Sequence, residues 1–322
     1  MQRCIQLAKC GEMGAPPNPM VGAVIVCNGK IIGEGYHRRC GGPHAEVNAI
    51  RSVRDESWLK ESTIYVSLEP CSHYGKTPPC ADLIIEKQIP RVVVGCLDPF
   101  AKVNGQGIKK LRDAGIEVIV GVLEKECLEL NKKFITFHRQ HRPWVTLKWA
   151  QSEDGFIDAI RQAEKKPVQF SSTFTQTLVH RMRAKNQAIM VGTNTVLLDN
   201  PTLTTRLWEG PNPLRVTIDR KGVLPASVHL KDGKVPTVIY DSGDLTHILD
   251  DLYKRGVQSL MVEGGAQLFQ HFIDAGLWDE ARVEVSSQML ECGVSAPEMQ
   301  NAVLVGESII DGRKILNYKH EM

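Results

Sequence analysis

Four residues between positions 44 and 80 supply an imidazole, a carboxylate and two thiols whose types and spacing suit metal-assisted chemistry. The imidazole and the carboxylate belong to His44-Ala45-Glu46, and the thiols to Pro70-Cys71 and to Cys80. A zinc ion held by three such nitrogen and sulfur ligands keeps a fourth position for water and lowers the pKa of that water toward about 7. Glu46 is then available to carry protons between the water and a leaving group. We therefore expect a hydrolytic zinc site that deaminates a nucleobase-like ring.

The spacing of the two cysteines differs from the common pattern of zinc deaminases. That pattern is His-x-Glu followed by Pro-Cys-x-x-Cys, whereas Cys80 lies nine positions after Cys71. A structural zinc site closed by His73, or chance burial of these residues, is the alternative interpretation. On a regular helix His44 and Glu46 would point about 200° apart, so they can converge only at an irregular first turn.

Hydrophobic periodicity predicts the elements that must hold these residues. His44 and Glu46 open one helix, whereas Cys71 follows a strand. Cys80 starts a second helix, whose N-terminal N–H groups favour a thiolate. A hairpin turn is expected at Asn28-Gly29. The predicted helices are residues 2–12, 44–53, 80–87, 107–114 and 123–138, and the predicted strands are residues 23–27, 31–36, 63–68, 91–95 and 118–121. This alternation predicts a three-layer α/β sandwich.

Length and composition are those of an ordinary two-domain protein. The chain has 322 residues, 42% hydrophobic and 24% charged, and its formal net charge is only +2. Such a charge predicts no basic surface for nucleic acid, and no apolar run is long enough for a membrane. The nine cysteines are odd in number, so reduced thiols and a cytoplasmic location are expected. The start does not read as a signal peptide, and its first predicted helix begins so abruptly that a few residues are expected before Met1.

The pattern turns polar at residues 138–143, which predicts domains at residues 1–142 and 143–322. Strands and helices then alternate as in a doubly wound α/β domain, where ligands bind at the carboxyl ends of the strands. The predicted strands are residues 145–150, 188–192, 214–219, 237–240, 260–263 and 281–286, and the predicted helices are residues 173–185, 249–255 and 266–275. At Glu263-Gly264-Gly265 a strand passes into a helix through two glycines, which suits a phosphate-binding turn or an ordinary tight turn.

Three motifs make the chain resemble the bifunctional deaminase–reductases of riboflavin biosynthesis. They are Pro16-Pro17-Asn18-Pro19-Met20-Val21-Gly22, His44-Ala45-Glu46 and Pro70-Cys71-Ser72-His73-Tyr74-Gly75-Lys76-Thr77-Pro78-Pro79-Cys80. The resemblance covers nearly the whole chain and implies a cytidine-deaminase-like sandwich followed by a dihydrofolate-reductase-like doubly wound α/β domain. It also implies one Zn²⁺ per chain, with ligands His44, Cys71 and Cys80, while Glu46 shuttles the proton. Asn18 and Lys76 would contact the substrate; the alternatives are a turn former and a solvated loop charge.

The reductase half of the resemblance depends on residues 193–206 and on the turn at Glu263. In the family these segments border NADPH and a ribityl or ribosyl phosphate. The residues expected along the cofactor are Lys148, Phe170, Thr195, Asp199, Arg220, Gly264 and Gly265, and those expected along the substrate are Arg183, Leu203, Arg206 and Glu263. Arginine forks suit a phosphate, although a surface charge is the alternative for each arginine alone. Arg220, followed by Lys221, would favour the 2′-phosphate of NADPH.

Two positions just before the first reductase helix depart from the family's reductase pattern, and Phe156 stands where the family usually has a basic residue. The family usually has Ser-x-Trp before the first reductase helix, where this chain has Val168-Gln169-Phe170. The serine contact to the substrate is therefore missing, and the aromatic contact to the cofactor is smaller. An enzyme that deaminates but has an impaired or altered reductase half is consequently an alternative expectation.

The leading hypothesis is an enzyme with two active sites in succession. The first would deaminate 2,5-diamino-6-(5-phosphoribosylamino)pyrimidin-4-one, and the second would reduce the ribosyl ring to a ribityl chain with NADPH. We expect small phosphorylated pyrimidines as partners, neither nucleic acid nor membrane, and a homodimer or homotetramer through the reductase domain. A nucleic-acid-editing zinc deaminase would need a basic surface and leaves the second half unexplained. A zinc-stabilised binding module would have no need of Glu46.

Overall fold

The structure, a computed structural model, describes residues 1–72, 78–99, 105–161 and 166–321. It divides the chain into two compact units, Met1–His141 and Arg142–Met322, one residue before the division expected from the sequence. Among the described residues, none of the helices combines the length and apolar character needed to cross a membrane.

A five-stranded mixed sheet forms the centre of the first unit, with the strand order β2-β1-β3-β4-β5. Its strands are β1 (Gly22–Cys27), β2 (Lys30–Tyr36), β3 (Ser62–Leu68), β4 (Arg91–Cys96) and β5 (Glu117–Val120). The helices are α1 (Gln2–Lys9), α2 (Ala45–Arg51), α3 (Cys80–Glu86), α4 (Gln106–Asp113), α5 (Glu124–Leu130) and α6 (Lys132–Gln140), with a 3-10 helix at Glu56–Glu61. The predicted hairpin turn is confirmed, because Asn28 and Gly29 have positive φ values of 48° and 74°.

Close approaches at two glycines show that helices cover both faces of this sheet. A Cβ added at Gly35 of β2 would overlap the backbone of Ala49 in α2. A Cβ added at Gly22 of β1 would overlap the backbone of Cys4 in α1. Gly35 pairs with Ala23, the neighbour of Gly22, and successive residues of a strand point to opposite faces. Helices α1 and α2 therefore lie on opposite sides, which confirms the three-layer sandwich.

The single helix predicted at residues 123–138 is wrong, because the structure has two helices, α5 and α6, that meet at Asn131. Asn131 has φ −109° and ψ 21°, outside helical values. Its side-chain amide accepts the Met20 N–H at 2.8 Å and donates to the Met20 carbonyl at 2.9 Å. The helix breaks where this contact ties it to the loop that carries Asn18.

An eight-stranded sheet forms the centre of the second unit, with the order β10-β9-β8-β11-β6-β12-β15-β14. Its strands are β6 (Trp144–Gln151), β8 (Ala188–Val191), β9 (Leu214–Ile218), β10 (Thr237–Tyr240), β11 (Ser259–Gly264), β12 (Glu280–Val285), β14 (Ala302–Ile310) and β15 (Arg313–His320), while β7 (Phe156–Asp158) pairs with β13 (Val294–Ser295). The helices are α7 (Thr173–Ala184), α8 (Thr193–Asp199), α9 (Leu245–Lys254) and α10 (Ala266–Asp274), with a 3-10 helix at His229–Lys231. The first six strands of this order, β10-β9-β8-β11-β6-β12, are parallel to one another. Strand β15 pairs antiparallel with β12, and β14 pairs antiparallel with β15.

The two faces of this sheet differ in chemistry. On one face Leu147 and Trp149 of β6 join an apolar core with Phe269 of α10. The alternate positions of β6 and its neighbouring strands point to the other face, which α7 covers. That face carries the charged side chains Lys148, Glu263, Arg282 and Glu284.

The structure adds elements that the sequence pattern did not predict in this unit. Helix α9 begins at Leu245 rather than at residue 249, because the Asp244 carboxylate accepts the N–H groups of Thr246 and His247 at 2.9 and 3.2 Å. Helix α8 and the strands β7, β13, β14 and β15 were also not predicted. Strands β14 and β15 form a hairpin at one edge of the sheet, and β14 is the edge strand.

Candidate active sites

His44 and Glu46 lie at the start of α2, before regular helix geometry begins. His44 is the residue preceding the helix, with φ −70° and ψ 168°, and Glu46 is in the first turn. Because the His44 backbone is extended, its imidazole does not follow the helical spacing that would turn it away from Glu46. Both side chains interact with the thiol of Cys80, so they converge on one place.

The two thiols enter this place from the end of β3 and from the start of α3. Cys71 lies three residues beyond β3, and Cys80 is the first residue of α3. His44 Nδ1 lies 3.5 Å from Cys71 Sγ and 3.3 Å from Cys80 Sγ, and the three atoms are all within 4.8 Å of one another. One nitrogen and two sulfurs at such separations suit a tetrahedral zinc ion that keeps a fourth position for water.

The protein groups of this cluster already favour a thiolate. The hydrogen bond from the Cys80 thiol and that from His44 lower the pKa of Cys71 to about 4, against the opposing effect of burial. The hydrogen bond with Cys71 raises the pKa of Cys80. The hydrogen bond with Cys71 also raises the pKa of His44, to about 9. The backbone N–H of Cys80, at the start of α3, also donates to Cys71 Sγ at 3.3 Å. A deprotonated cysteine is the form that binds a metal.

Glu46 differs from the other three groups in its surroundings. Its side chain is only 3% exposed, and burial raises its pKa to about 7, with the charge of Cys71 acting in the same direction. A carboxyl group with a pKa near neutral can both accept and release a proton at physiological pH. Glu46 therefore has the chemistry of a proton carrier beside the ligand cluster.

Asn18 reaches this region through a buried histidine that the sequence analysis missed. His37 is 3% exposed, and its ring is 5.4 Å from that of His44 in an edge-to-face arrangement. Its Nδ1 is 3.1 Å from the carbonyl oxygen of Pro43, and its Nε2 is 3.1 Å from Nδ2 of Asn18. The strongest available signal was its position directly after β2. Lys76, the other expected substrate contact, lies outside the described residues.

Arg183 and Glu263, two residues expected along the reductase substrate, form a bidentate ion pair. The Nε and Nη2 atoms of Arg183 donate to the two oxygens of Glu263, both at 2.8 Å. Nη1 of the same guanidinium donates to the Thr204 carbonyl at 2.9 Å, in the segment that holds Leu203 and Arg206. Leu203 is buried, and Arg206 is exposed. The structure thus brings Arg183 and Glu263 together where α7 meets the end of β11, beside the segment that holds Leu203 and Arg206.

Lys148 occupies the charged face beneath α7. It is 7% exposed, and burial lowers its pKa, although the carboxylates of Glu263 and Glu284 act in the opposite direction. Glu284 is fully buried and accepts hydrogen bonds from Thr175 at 2.6 Å and from Ser171 at 3.0 Å. Lys148 is expected along the cofactor, and the structure places it close enough to both carboxylates for their charges to affect its pKa. Glu284 has no motif that could have identified it in advance.

The glycine turn after β11 lies against α8. Gly265 has φ 97°, a backbone conformation that favours glycine, and it immediately precedes α10. A Cβ added at Gly264 would meet the Thr195 side chain at 3.0 Å. Thr195 and the Gly264-Gly265 turn, all expected along the cofactor, therefore lie together at the N-terminus of α10. Glycine backbone and small side chains at a helix N-terminus suit a dinucleotide phosphate.

Asp199 and Arg220 contact other parts of the second unit. Asp199 ends α8 and is ion-paired with Arg161, which also binds Asp158 at 2.6 Å. Arg220 is exposed, follows β9, and lies near Gly243, where an added Cβ would be 3.7 Å from its Cδ.

The segment that departs from the family pattern is well anchored. The backbone N–H of Val168 donates to Asp158 at 3.1 Å. Phe170 is only 3% exposed, and its carbonyl accepts a hydrogen bond from Arg313 at 2.6 Å. The segment before α7 is therefore tied to β7 through Asp158 and to β15 through Arg313.

Comparisons with known families assign each half separately. Residues 1–96 match the cytidine and deoxycytidylate deaminase zinc-binding region, and residues 143–290 match the RibD C-terminal domain.

Comparisons with whole proteins agree with this division. The riboflavin biosynthesis protein RibD of Aquifex aeolicus is 38% identical over 93% of this chain and 89% of its own length, and that of Bacillus amyloliquefaciens is 40% identical over 87% and 81%. A crystal structure of a diaminohydroxyphosphoribosylaminopyrimidine deaminase/5-amino-6-(5-phosphoribosylamino)uracil reductase from Thermotoga maritima has 38% identity and a TM-score of 0.90, covering 99% of this chain and 97% of that one. The chain therefore belongs to the RibD family of riboflavin biosynthesis proteins, bifunctional enzymes that combine a deaminase with a reductase.

Proposed function

We propose that the first unit deaminates 2,5-diamino-6-(5-phosphoribosylamino)pyrimidin-4-one with one zinc ion per chain, held by His44, Cys71 and Cys80. The observation that carries this proposal is the arrangement of one imidazole and two thiols within 4.8 Å, with a buried carboxylate beside them. The match to a deaminase zinc-binding region and the deaminase activity of the Thermotoga maritima relative support the substrate. A purely structural zinc site would not need the buried Glu46.

Each residue has a separate task in this mechanism. Bound zinc supplies a Lewis acid that brings the pKa of water close to neutral. Glu46 would take one proton from the attacking water and pass it to the leaving amino group, so that a C–O bond replaces the C–N bond and ammonia departs as a neutral molecule. In this proposal Asn18 and Lys76 bind the substrate, and the charge of Lys76 pairs with the ribose phosphate.

The test is Glu46→Gln, which keeps the size of the side chain and removes its basic group. We expect zinc to remain at one per chain while the rate of ammonia release falls about 10²- to 10⁴-fold, the usual contribution of general acid–base catalysis. Glu61→Gln, at an exposed position of the same unit, serves as the control and should keep full activity. Undiminished ammonia release from the Glu46 variant would exclude this mechanism.

We propose that the second unit reduces the ribosyl group of the deaminated intermediate with NADPH. NADPH supplies the hydride when bound, beside the turn at Gly264-Gly265 and Thr195. Arg183 and Arg206 bind the substrate phosphate, Leu203 lines that site, and Glu263 orients Arg183 through the bidentate pair. This assignment is supported by the family match of residues 143–290 and by the contact of Arg183 with Glu263 and Thr204.

The remaining cofactor residues of this proposal are Lys148, Phe170, Asp199 and Arg220. A preference for NADPH depends on the charges of Arg220 and Lys221 beside the end of β9. Replacing both by alanine should raise the KM for NADPH much more than the KM for NADH. Equal effects on both cofactors would remove this argument. Turnover of the deaminated intermediate by the unaltered chain also decides whether Val168 and Phe170 are compatible with reduction.

We propose that two copies associate through the reductase unit, at the outer edge of β14. In the described structure β14 is the last strand of its sheet, and it exposes Val303, Leu304, Val305 and Ile309, with Ile309 77% exposed. An edge strand with exposed apolar side chains readily pairs with another strand. Analytical ultracentrifugation of the full chain, alone and as Ile309→Lys, tests this interface.

The proposed location is the cytoplasm. All nine cysteines are free thiols in the structure, and two of them belong to the ligand cluster, where oxidation to a disulfide would remove both sulfur ligands. A reducing compartment keeps such a site able to bind metal. Cell fractionation tests this location.

A further inference from the structure

Glu69 is a buried carboxylate that stands two residues before Cys71 and takes no direct part in the chemistry proposed above. It follows β3, its side chain is 4% exposed, and its own N–H donates to the Cys96 carbonyl at 3.0 Å. Burying an ionised carboxylate is costly unless hydrogen-bond donors surround it. Its position therefore requires a compensating set of contacts.

Four backbone N–H groups supply that compensation. One oxygen of Glu69 accepts from Gly107 at 2.9 Å and from Ile108 at 3.3 Å. The other oxygen accepts from Gly105 at 2.9 Å and from Asp98 at 3.3 Å. Three of these donors belong to the start of α4, where the helix dipole also favours a negative charge. The carboxylate thus joins the end of β3 to the N-terminus of α4 and to the segment after β4.

The start of α4 also restricts the backbone of the next residue, Pro70. A Cβ added at Gly107 would overlap the carbonyl oxygen of Pro70, so α4 packs directly on the peptide that leads into Cys71. The ring of Pro70 fixes its own φ, and a residue that precedes proline is restricted to extended values. Between Glu69 and Cys71 few torsions remain that could move the thiol.

On its other side, Cys71 is held by α3. Its carbonyl accepts the Ala81 N–H at 3.1 Å, and its sulfur accepts the Cys80 N–H at 3.3 Å. The sulfur is therefore placed by two anchors, one at the start of α3 and one at Glu69. Loss of either anchor would let the sulfur leave the position from which it lies 3.5 Å from His44 Nδ1.

We infer that Glu69 is a positioning residue that holds the Cys71 thiolate in place for zinc, an inference that rests on the zinc site proposed above. Its charge acts on neutral backbone N–H groups, and its effect on the metal passes through the backbone of Pro70 and Cys71. Residues that orient metal ligands typically change metal affinity about 10- to 100-fold when they are replaced. Glu69→Gln turns one acceptor oxygen into an N–H₂ group, which opposes two of the four donors whichever way the amide is oriented.

The experiment measures the dissociation constant of zinc for the full chain by competition with a chelator. For Glu69→Gln we expect an increase of about 10- to 100-fold, with deaminase activity restored by excess zinc. The cobalt-substituted variant should show a weakened thiolate-to-cobalt absorption band. NADPH-dependent reduction, carried out by the other unit, should be unchanged.

Asn131→Ala provides the matched control, because Asn131 is also a buried side chain that ties two segments of this unit together. It should lower the thermal stability of the unit and leave the zinc dissociation constant unchanged. Gly107→Ala perturbs the same anchor from the side of α4 while it keeps the Glu69 carboxylate, and should weaken zinc binding in the same direction. If Glu69→Gln does not fold, the zinc affinity of Gly107→Ala tests the inferred role of this anchor instead.

The outcomes separate the two proposals. If the unaltered chain binds no zinc, or binds it without His44, Cys71 and Cys80, the proposed zinc site is wrong. If the unaltered chain binds zinc there and both the Glu69 and Gly107 variants bind it equally well, the site stands and the role of Glu69 is wrong. The role of Glu69 would also be wrong if Asn131→Ala lowered the zinc affinity as much as Glu69→Gln does, because a general loss of stability would then explain both results.

Discussion

The hydrogen-bonding direction at His37 determines which atom Asn18 can offer to a ligand. The carbonyl of Pro43 can only accept, so the Nδ1 of His37, 3.1 Å away, must carry the hydrogen. Burial lowers the pKa of His37, which favours the neutral ring. Its Nε2 is then an acceptor, and the Nδ2 group of Asn18 donates to it at 3.1 Å. The Oδ1 atom of Asn18 is left on the opposite side of the amide, where it can accept an N–H of the pyrimidine substrate.

This chain of contacts makes His37 and Asn18 act as a unit. We predict that His37→Leu lowers kcat/KM for deamination roughly fivefold, because the amide of Asn18 loses the partner that fixes its orientation, and an oriented hydrogen bond contributes about 1 kcal/mol. Zinc content should not change. Steady-state kinetics of His37→Leu, Asn18→Ala and the double variant measure the coupling.

Non-additivity is the expected signature of that pair. Once His37 is leucine, replacing Asn18 should cost clearly less than it does in the unaltered chain. Strictly additive losses would mean that the two side chains act independently and that the orientation argument is wrong. Ser52→Ala is a suitable control, because the Ser52 hydroxyl accepts the Glu34 N–H and has no part in the contact between His37 and Asn18. Its effect on kcat/KM should add to that of Asn18→Ala.

At the scale of elements, sequence patterns predicted those strands, helices and motifs whose signal lies within a short stretch of sequence. Strands such as β3 and β4 have runs of β-branched residues, and the zinc-ligand candidates stand in a motif that can be read directly. The break at Asn131 could not be predicted, because its cause is a contact with Met20, 111 residues away. Glu69 was missed for a related reason, since its partners are backbone N–H groups, which have no sequence signature.

The C-terminal hairpin shows the same limit for strands. Residues of β14 are mostly exposed, so the strand lacks the alternation of buried and exposed positions that reveals a half-buried strand. Its place in the sheet comes from pairing with β15, and that pairing is a tertiary property. In the second unit, Arg183 and Glu263 were expected from the family motif, whereas Glu284 became visible only through its contacts with Thr175 and Ser171.

Helix α7 carries a histidine whose protonation should affect the stability of the second unit. His180 is 3% exposed, and its Nδ1 accepts the Leu207 N–H at 3.4 Å. Burial lowers its pKa to about 4, and the positive charges of Arg183 and Arg206 act in the same direction. The folded chain therefore keeps this ring neutral at pH values where the unfolded chain, with a pKa near 6.5, is already protonated.

The sign of the resulting pH dependence follows directly. Between pH 6.5 and pH 4 the unfolded state binds more protons at His180 than the folded state, so the free energy of unfolding decreases as the pH falls. One proton contributes at most about 1.4 kcal/mol per pH unit. We predict that His180→Gln makes this decrease shallower, because glutamine can accept the same N–H without titrating.

Urea unfolding of both proteins at several pH values, followed in the second unit, measures this difference. The exposed His247, replaced by glutamine, is the control and should leave the slope as it is in the unaltered chain. Parallel curves for the His180 variant and the unaltered chain would show that His180 does not titrate differently on folding.

At the scale of the whole molecule, the chain combines two chemistries that need different cofactors. The candidate ligands His44, Cys71 and Cys80 all belong to the first unit, whereas Arg183, Glu263 and the glycine turn belong to the second. Each unit also has its own sheet and its own apolar core. Removal of the metal should therefore affect one reaction and not the other.

We predict that a strong zinc chelator abolishes ammonia release from the diaminopyrimidine substrate and leaves NADPH oxidation on the deaminated intermediate at its original rate. The physical reason is that zinc binding contributes to catalysis and folding only where its ligands lie. Added zinc should restore deamination, and the Glu46→Gln protein, treated in the same way, should show unchanged reduction throughout. Parallel spectrophotometric assays of ammonia and NADPH follow both reactions in one sample. If reduction disappears together with deamination and returns with zinc, the two units are energetically coupled, and the model of two independent sites must be abandoned.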